Sequence, residues 1–333
     1  MQAYFGNRPL EDIYTLWEKS IEKLENAKVV VIGVPSDTGA GIRRGAAYGP
    51  RAVRRELLKL PRFQDLIKHS QVVDLGDIFC NPHLLHDEML NLKQIKRCQK
   101  EMYGGPFRYR LPVSPLSSLE FALSLLLKEF SHLKVFAIGG DHSIAWPLSR
   151  VLSKRHKKLG IVQPDAHTDL LPSRYGVKYC FGTWSFHAAK LIKNRFVQIG
   201  IRQSGKDRGH WEKSLGIKQV WAYEARSKSN QDIIQEVISF LKKKGVKDLY
   251  FSNDIDGTDC LEAPATGTPV SEGVSSTLLL SLIEELPKHF RWVGADINEV
   301  APDLAKSQED LEKTCKLAAR YSLASIESLL ASR

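Results

Sequence analysis

Residues 159–169 read LGIVQPDAHTD, an apolar run closed by three side chains that can bind a metal: Asp165, His167 and Asp169. A short, continuous apolar run ended by a turn signal is a strand buried on both faces, as the central strands of a parallel sheet are. The same arrangement occurs twice more. KVFAIGG at 134–140 leads into Asp141 and His142, and DLYFSN at 248–253 leads into Asp254 and Asp256. All three clusters sit at the C-terminal ends of predicted strands, where open α/β sheets bind their ligands, so separate runs can deliver side chains to one place.

Outward from these three, strand-like runs lie near 28–34, 71–75, 195–200, 217–222 and 291–296. Helical spacing joins them, as in Ile234, Val237, Ile238 and Leu241, or Leu311, Cys315, Ala318 and Ser322. Strands alternating with helices predict βαβ wiring around a parallel sheet. No linker, repeat or low-complexity break divides the 333 residues, so one domain is expected. A chain of this length buries roughly three quarters of its unfolded surface.

The clusters pose an electrostatic problem. Positions i and i+2 of an extended chain share a face, which places Asp254 beside Asp256 and Asp165 beside His167. Carboxylates that close raise one another's pKa unless a cation lies between them. Any one Asp-x-Asp alone would read as a helix cap or a salt-bridged loop acid. Four aspartates with two imidazoles read instead as a dinuclear site, since two divalent ions balance four negative charges. Carboxylate-rich ligands with some imidazole and no thiolate suit manganese, ahead of magnesium or zinc. Two such ions can lower the pKa of a shared water, which is metal-assisted hydrolysis.

These stretches resemble the ureohydrolases, the family of arginase and agmatinase. Gly139-Gly140-Asp141-His142-Ser143, Asp165-Ala166-His167-Thr168-Asp169 and Ser252-Asn253-Asp254-Ile255-Asp256 look like its three metal motifs. Ala265-Thr266-Gly267-Thr268-Pro269 resembles its Thr-Gly-Thr-Pro loop, and Asp296-Ile297-Asn298-Glu299-Val300 its late acidic motif. Gly33-Val34-Pro35, Arg44-Gly45-Ala46, Gly49-Pro50-Arg51-Ala52-Val53-Arg54 and Asp74-Leu75-Gly76-Asp77 are similar to its N-terminal signatures, so the resemblance spans about 28–330.

The resemblance implies a three-layer α/β/α fold with a central, mostly parallel eight-stranded sheet. It implies two Mn²⁺ ions, with His142, Asp165, Asp169 and Asp254 carrying or bridging one, and His167 with the shared aspartates and Asp256 the other. It further implies attack by a hydroxide held between the ions on a linear guanidino compound, giving urea and an amine. Asp169 would shuttle the proton, and Glu299 would face the planar guanidinium with two parallel acceptors. Thr268 would join the substrate contacts.

Two departures bear on specificity. Arginases and agmatinases place a histidine before a glycine downstream of Asp-x-His-x-Asp, and here that position is Phe181. His187, a few residues on, is the candidate replacement in catalysis; a lone histidine beside Phe186 and Ala188 also reads as a structural residue. The loop after Asp169 lacks the Asn and Ser/Thr-rich stretch with which arginases hold an α-carboxylate. Agmatine or another guanidino compound is therefore expected ahead of arginine. Arg174, Lys178 and Tyr179 read either as carboxylate ligands or as solvated side chains, and Trp184, Phe186 and Trp211 as core or as apolar walls. Formimidoylglutamate or other amidine hydrolysis, arginase activity, and non-catalytic guanidino binding are the alternatives.

Residues 1–27 read as a helical extension ahead of a single catalytic domain at 28–333. Ile13, Leu16, Trp17, Ile21 and Leu24 form one apolar stripe, suited to packing on its own domain or on another subunit. Relatives are commonly oligomers, so a homo-oligomer is expected. Five cysteines without CxxC spacing predict unpaired, buried thiols, and no apolar run is long enough to span a membrane. Together they predict a cytoplasmic enzyme with no membrane partner. The formal charge of +10 is dispersed in short groups such as Arg43-Arg44, not set among aromatics, so no nucleic-acid partner is expected.

Overall fold

A computed structural model of the protein describes residues 10–104 and 111–332. Eight strands form one sheet: β1 (Val29–Val34), β2 (Val72–Asp77), β3 (Lys134–Gly139), β4 (Leu159–Pro164), β5 (Phe196–Ile201), β6 (Lys218–Trp221), β7 (Asp248–Asp254) and β8 (Arg291–Asn298). Their order is β2-β1-β3-β8-β7-β4-β5-β6, and every pairing is parallel. Each predicted run is a strand, displaced by a residue or two at its ends.

Alternation along the strands builds the layers. Val29 and Val31 of β1 enter one apolar cluster, with Phe136, Ile138, Phe251 and Ile297. Val30, Ile32 and Val34 enter the other, with Val135, Ala137 and Ile161. The first is covered by helices including Gly49–Leu57, Asn230–Lys243, Ser276–Glu285 and Gln308–Ala331. The second is covered by Pro115–Glu129, Ala145–Arg155 and Trp184–Ile192. Burial on both faces is why these strands read as unbroken apolar runs; each such Val, Leu or Ile contributes roughly 1.5–3 kcal/mol.

The N-terminal helix spans Leu10–Glu22. Ile21 and Leu24 pack on the second cluster while Trp17 stays exposed; the side chains of Ile13 and Leu16 lie outside the described residues. All five cysteines are unpaired. Cys180 and Cys315 are buried as expected, but Cys80, Cys98 and Cys260 are only half-buried, because they lie in loops or on a helix flank. Among the described residues no helix is long and apolar enough to cross a membrane.

The chain order places the site. Passing from β3 to β4 skips two positions that β8 and β7 fill later, so β3, β8, β7 and β4 become neighbours at the centre of the sheet. Their C-terminal ends carry His142, Glu299, Asp254 and Asp165.

Candidate metal centre

At three of these strand ends, those of β3, β7 and β4, a carboxylate folds the chain back on itself. Asp141 accepts the N–H groups of Ser143 and Gly39, both at 2.9 Å, and starts the 3₁₀ turn His142–Ile144. Asp254 accepts the N–H of Asp256 at 2.9 Å and starts Ile255–Gly257, while Asp165 accepts the N–H of His167 at 2.7 Å. These short-range bonds turn alternate side chains toward one point. Asp169 and Glu299 lie at φ +50° and +61°, left-handed backbone that costs on the order of 1–3 kcal/mol for residues with a Cβ. Strain at those two positions, both buried and acidic, marks a functional site.

The side chains of all six expected ligands converge. His142 Nδ1 lies 3.2 Å from Asp165 Oδ2, 3.1 Å from Asp254 Oδ2 and 3.6 Å from Asp169 Oδ2. His167 Nδ1 lies 3.1 Å from Asp256 Oδ2 and 3.6 Å from Asp165 Oδ1. Two ion-sized groups result, His142–Asp165–Asp169 and Asp165–His167–Asp256, with ligand atoms in each within 4.8 Å of one another. Asp165 belongs to both, one oxygen toward each imidazole.

The donor set fits a pair of divalent cations. His142 Nδ1 is buried and makes no aligned hydrogen bond despite its carboxylate neighbours, as a coordinating nitrogen would be. Its Nε2 meets Ser252 Oγ at 3.0 Å, and Ser252 in turn bonds Asp296 at 3.0 Å. That support leaves Nδ1 to face the centre. Tyr250 Oη donates to the same Asp296.

Asp165 is held by a buried ladder of amides. Gln163 Nε2 donates to Asp165 Oδ2 at 2.6 Å, Gln198 Nε2 to Gln163 Oε1 at 2.7 Å, Gln219 Nε2 to Gln198 Oε1 at 2.7 Å, and Trp221 Nε1 to Gln219 Oε1 at 3.1 Å. An ionised carboxylate only accepts, so Asp165 fixes the direction of every amide behind it. The register of β4, β5 and β6 aligns the three glutamines.

Electrostatically the centre is short of positive charge. Burial alone would push Asp165 up, but the imidazoles of His142 and His167 hold it below the usual carboxylate range. Burial opposes ionisation of the histidines too, yet Asp165 and Asp254 raise His142 well above its ordinary value, and Asp256 with Asp165 pushes His167 up to about 12. Asp169 is driven well up by burial and then by Asp165, Asp254 by burial and then by Asp256. The crowding that favours bound protons here is what two cations would relieve.

Glu299 is buried beside the centre, its Oε1 accepting the N–H of His142 at 2.9 Å. Thr268, expected on substrate, donates its hydroxyl to Asp256 Oδ2 at 3.0 Å and so braces a ligand of the centre. Beside His167 and Asp169 opens a cavity of about 800 Å³, walled by Phe181, Trp211, Arg174, Arg202 and Lys206. Trp184 is core and site at once, fully buried with Nε1 donating to Asp169 Oδ2 at 3.1 Å. Lys178 and Tyr179 both turn to Glu88, which separates them from Arg174. His187 does not join the six. Its Nε2 meets the Lys178 carbonyl at 3.0 Å, and its ring packs against Trp146, Tyr179 and Phe186 one helical turn beyond Trp184.

Sequence reasoning missed Gln163, Gln198, Gln219, Ser252 and the supporting role of Thr268. For the three glutamines and Ser252 the signal was polar residues inside apolar strands: burying an amide or hydroxyl is costly unless something fixed receives it.

Comparison with known proteins agrees with this geometry. The family model described as Arginase family matches residues 27–325. Guanidinobutyrase of Pseudomonas aeruginosa is 29% identical over 294 residues, covering 85% of this chain and 82% of that protein. The mitochondrial agmatinase of Gallus gallus is 31% identical, covering 84% and 75%. The solved structure of proclavaminate amidino hydrolase from Streptomyces clavuligerus superposes with a TM-score of 0.72 at 27% identity, covering 92% of this chain and 93% of that one.

Proposed function

The chain belongs to the arginase family, whose members are hydrolases acting on amidino C–N bonds, and from that premise we propose that it hydrolyses a linear guanidino compound to urea and an amine at a dimanganese centre. The observation that carries this reading is the pair of three-ligand groups sharing Asp165. His142, Asp165, Asp169 and Asp254 would hold one Mn²⁺, and His167, Asp256 and the shared aspartates the other. When bound, such ions supply a water of lowered pKa and Lewis-acid stabilisation of developing negative charge.

The chain's own groups account for the remaining steps. Glu299, fixed by the His142 N–H, offers a carboxylate to the planar guanidinium and orients its carbon toward the centre. Addition of water forms a C–O bond, and the C–N bond to the substrate's chain then breaks. The leaving nitrogen needs a proton. Asp169, a buried carboxylate beside the centre, takes one from the water and passes it on. Trp184 Nε1–H holds Asp169 Oδ2 in position for both transfers.

A second reading is hydrolysis of another amidine, releasing formamide or ammonia in place of urea; it is favoured by Phe181, an apolar side chain in the cavity wall where arginases and agmatinases carry histidine. Residues 28–333 would form the catalytic unit and 1–27 an extension. The groove that exposes Trp17, Phe121 and Leu125 supports a homo-oligomer. The deciding experiment measures urea, ammonia and formamide from Mn²⁺-loaded protein against guanidino and formimidoyl substrates. Urea release that requires Mn²⁺ is expected; a protein that binds two ions and releases none of these products would defeat the proposal.

A further inference from the structure

The cavity beside His167 and Asp169 has walls of one charge. Arg174, Arg202 and Lys206 line it, and among the described residues its only acidic side chain, Asp169, belongs to the metal centre. The three cations are not equivalent. Arg202 is tied down by backbone carbonyls, Nη2 reaching Asp256 O at 2.7 Å and Val270 O at 2.8 Å, and Nε reaching Ser271 O at 3.0 Å. It is a structural clamp. Among the described residues, Arg174 and Lys206 make no ion pair at all. Asp207, next to Lys206, is engaged as a helix cap, its Oδ1 accepting the N–H of His210 at 2.8 Å.

Arg174 is nonetheless well placed. It begins a tight hairpin closed by paired bonds with Val177, of 2.9 Å and 2.8 Å, and turned by Tyr175 and Gly176 at positive φ. Its guanidinium lies 5.0 Å from the Phe181 ring centroid, so the residue standing at the family's histidine position forms the surface on which Arg174 rests. Lys206 enters from the loop after β5, and Trp211 supplies an apolar wall.

We propose that the end of the substrate remote from the reacting carbon is anionic, a carboxylate on a short alkyl chain, and that Arg174 and Lys206 select it. This rests on the hydrolase reading above. The cavity offers a cationic guanidinium one acidic end, at the metal centre, and one basic end at the mouth. A substrate with a second cation there, as in agmatine, would face two positive charges with no carboxylate among the described lining residues to receive it; a guanidino acid complements both ends.

The test compares 4-guanidinobutyrate, agmatine and arginine as substrates of the Mn²⁺-loaded protein. Charge-assisted bonds at a half-exposed site predict kcat/KM for 4-guanidinobutyrate roughly tenfold or more above that for agmatine. Arg174→Gln and Lys206→Gln should raise KM for the acid by about five- to tenfold each, leaving kcat within about twofold. Arg174→Glu should narrow or invert the preference. Added salt should raise KM for the acid and lower it for agmatine. Agmatine as the better substrate, or unchanged KM in both glutamine variants, would overturn the proposal. Calorimetric binding of the acid and agmatine, to wild type and to Arg174→Gln, separates this proposal from the hydrolase reading. Preferential, Arg174-dependent binding of the acid without urea release would sink the hydrolase reading alone, and urea release with no such preference would sink the anionic tail alone.

Discussion

The floor of the site and its mouth are built by opposite means. On the floor, Asp165, Asp256 and His142 are buried and each is held twice: Asp165 by Gln163 and the His167 N–H, Asp256 by Thr268 and the Ala166 N–H, His142 by Ser252 with its backbone on Glu299. At the mouth, Arg174 and Lys206 stand on loops, and among the described residues neither has an ion-pair partner. Reaction chemistry demands fixed geometry, which sheet register and short-range caps provide, whereas selection of a substrate's tail tolerates mobile charges. The contrast teaches where substitution matters: floor variants should change whether the protein works, mouth variants what it works on.

The largest expected effect is at the shared carboxylate. Asp165→Ala removes an oxygen from each ion-sized group, so urea release should fall to background and metal content by about half or more. Elemental analysis with a urea assay checks both. Retention of two ions with activity would show that the floor is not organised around Asp165.

Protons and metal compete for the same atoms, which predicts the next effect. His167 is pushed up to about 12 and His142 well above its ordinary value by the crowded carboxylates, so in the ion-free protein both carry protons at neutral pH. Cation binding must expel them. Mn²⁺ affinity should therefore rise with pH from neutrality upward, with proton uptake by the buffer on titration, and charge at Arg174 should leave that slope unchanged. The linkage sign for stability follows. A histidine pKa raised in the folded state stabilises the ion-free protein fully below about 6.5 and loses that contribution as pH rises toward about 12. The thermal stability of the ion-free protein should thus fall with rising pH more than that of the Mn²⁺-loaded form.

The floor was legible in the sequence because its ligands travel in short motifs at strand ends, where Asp165, His167 and Asp169 lie within five residues. Their meeting with His142, Asp254 and Glu299 could be inferred, but the adjacency of β3, β8, β7 and β4 that produces it depends on sheet order, which no local pattern encodes. The amide ladder was hidden for a related reason: Gln163, Gln198 and Gln219 are far apart in the chain and align only through the register of three strands. At the mouth, Arg174 was visible beside Lys178 and Tyr179, and only the fold shows that Glu88 draws those two away. His187 was the expectation the geometry did not support. Starting the helix at Trp184 puts the indole of that residue on Asp169 and carries His187 a turn onward into an aromatic cluster.

Gln163→Leu asks how far the floor extends behind its ligands. The substitution removes the donor to Asp165 and strands the groups that bond Gln163 Oε1, Ser185 Oγ and Gln198 Nε2. Loss of a supporting hydrogen bond to a metal ligand typically costs about 10–100-fold in metal affinity or activity, and that is the expected range here. An effect below about threefold would mean that backbone caps alone fix Asp165.

Gln219→Leu, two rungs further out, should have the smallest effect on chemistry while still costing stability. Its amide donates to Gln198 Oε1 and accepts from Trp221 Nε1, so the leucine leaves one acceptor and one donor without partners, at about 1–3 kcal/mol for each group that stays dry. Gln198 cannot respond by turning its amide over, because its Nε2 is held by Gln163 Oε1 at 2.7 Å and by the Thr168 carbonyl at 2.6 Å. The inner rungs therefore keep their polarity, and kcat/KM should stay within about twofold while the unfolding midpoint drops. If Gln219→Leu instead weakens Mn²⁺ binding as much as Gln163→Leu does, the orientation of Asp165 is set along the whole ladder, and the rigid floor reaches from the metal centre across to the edge strand β6.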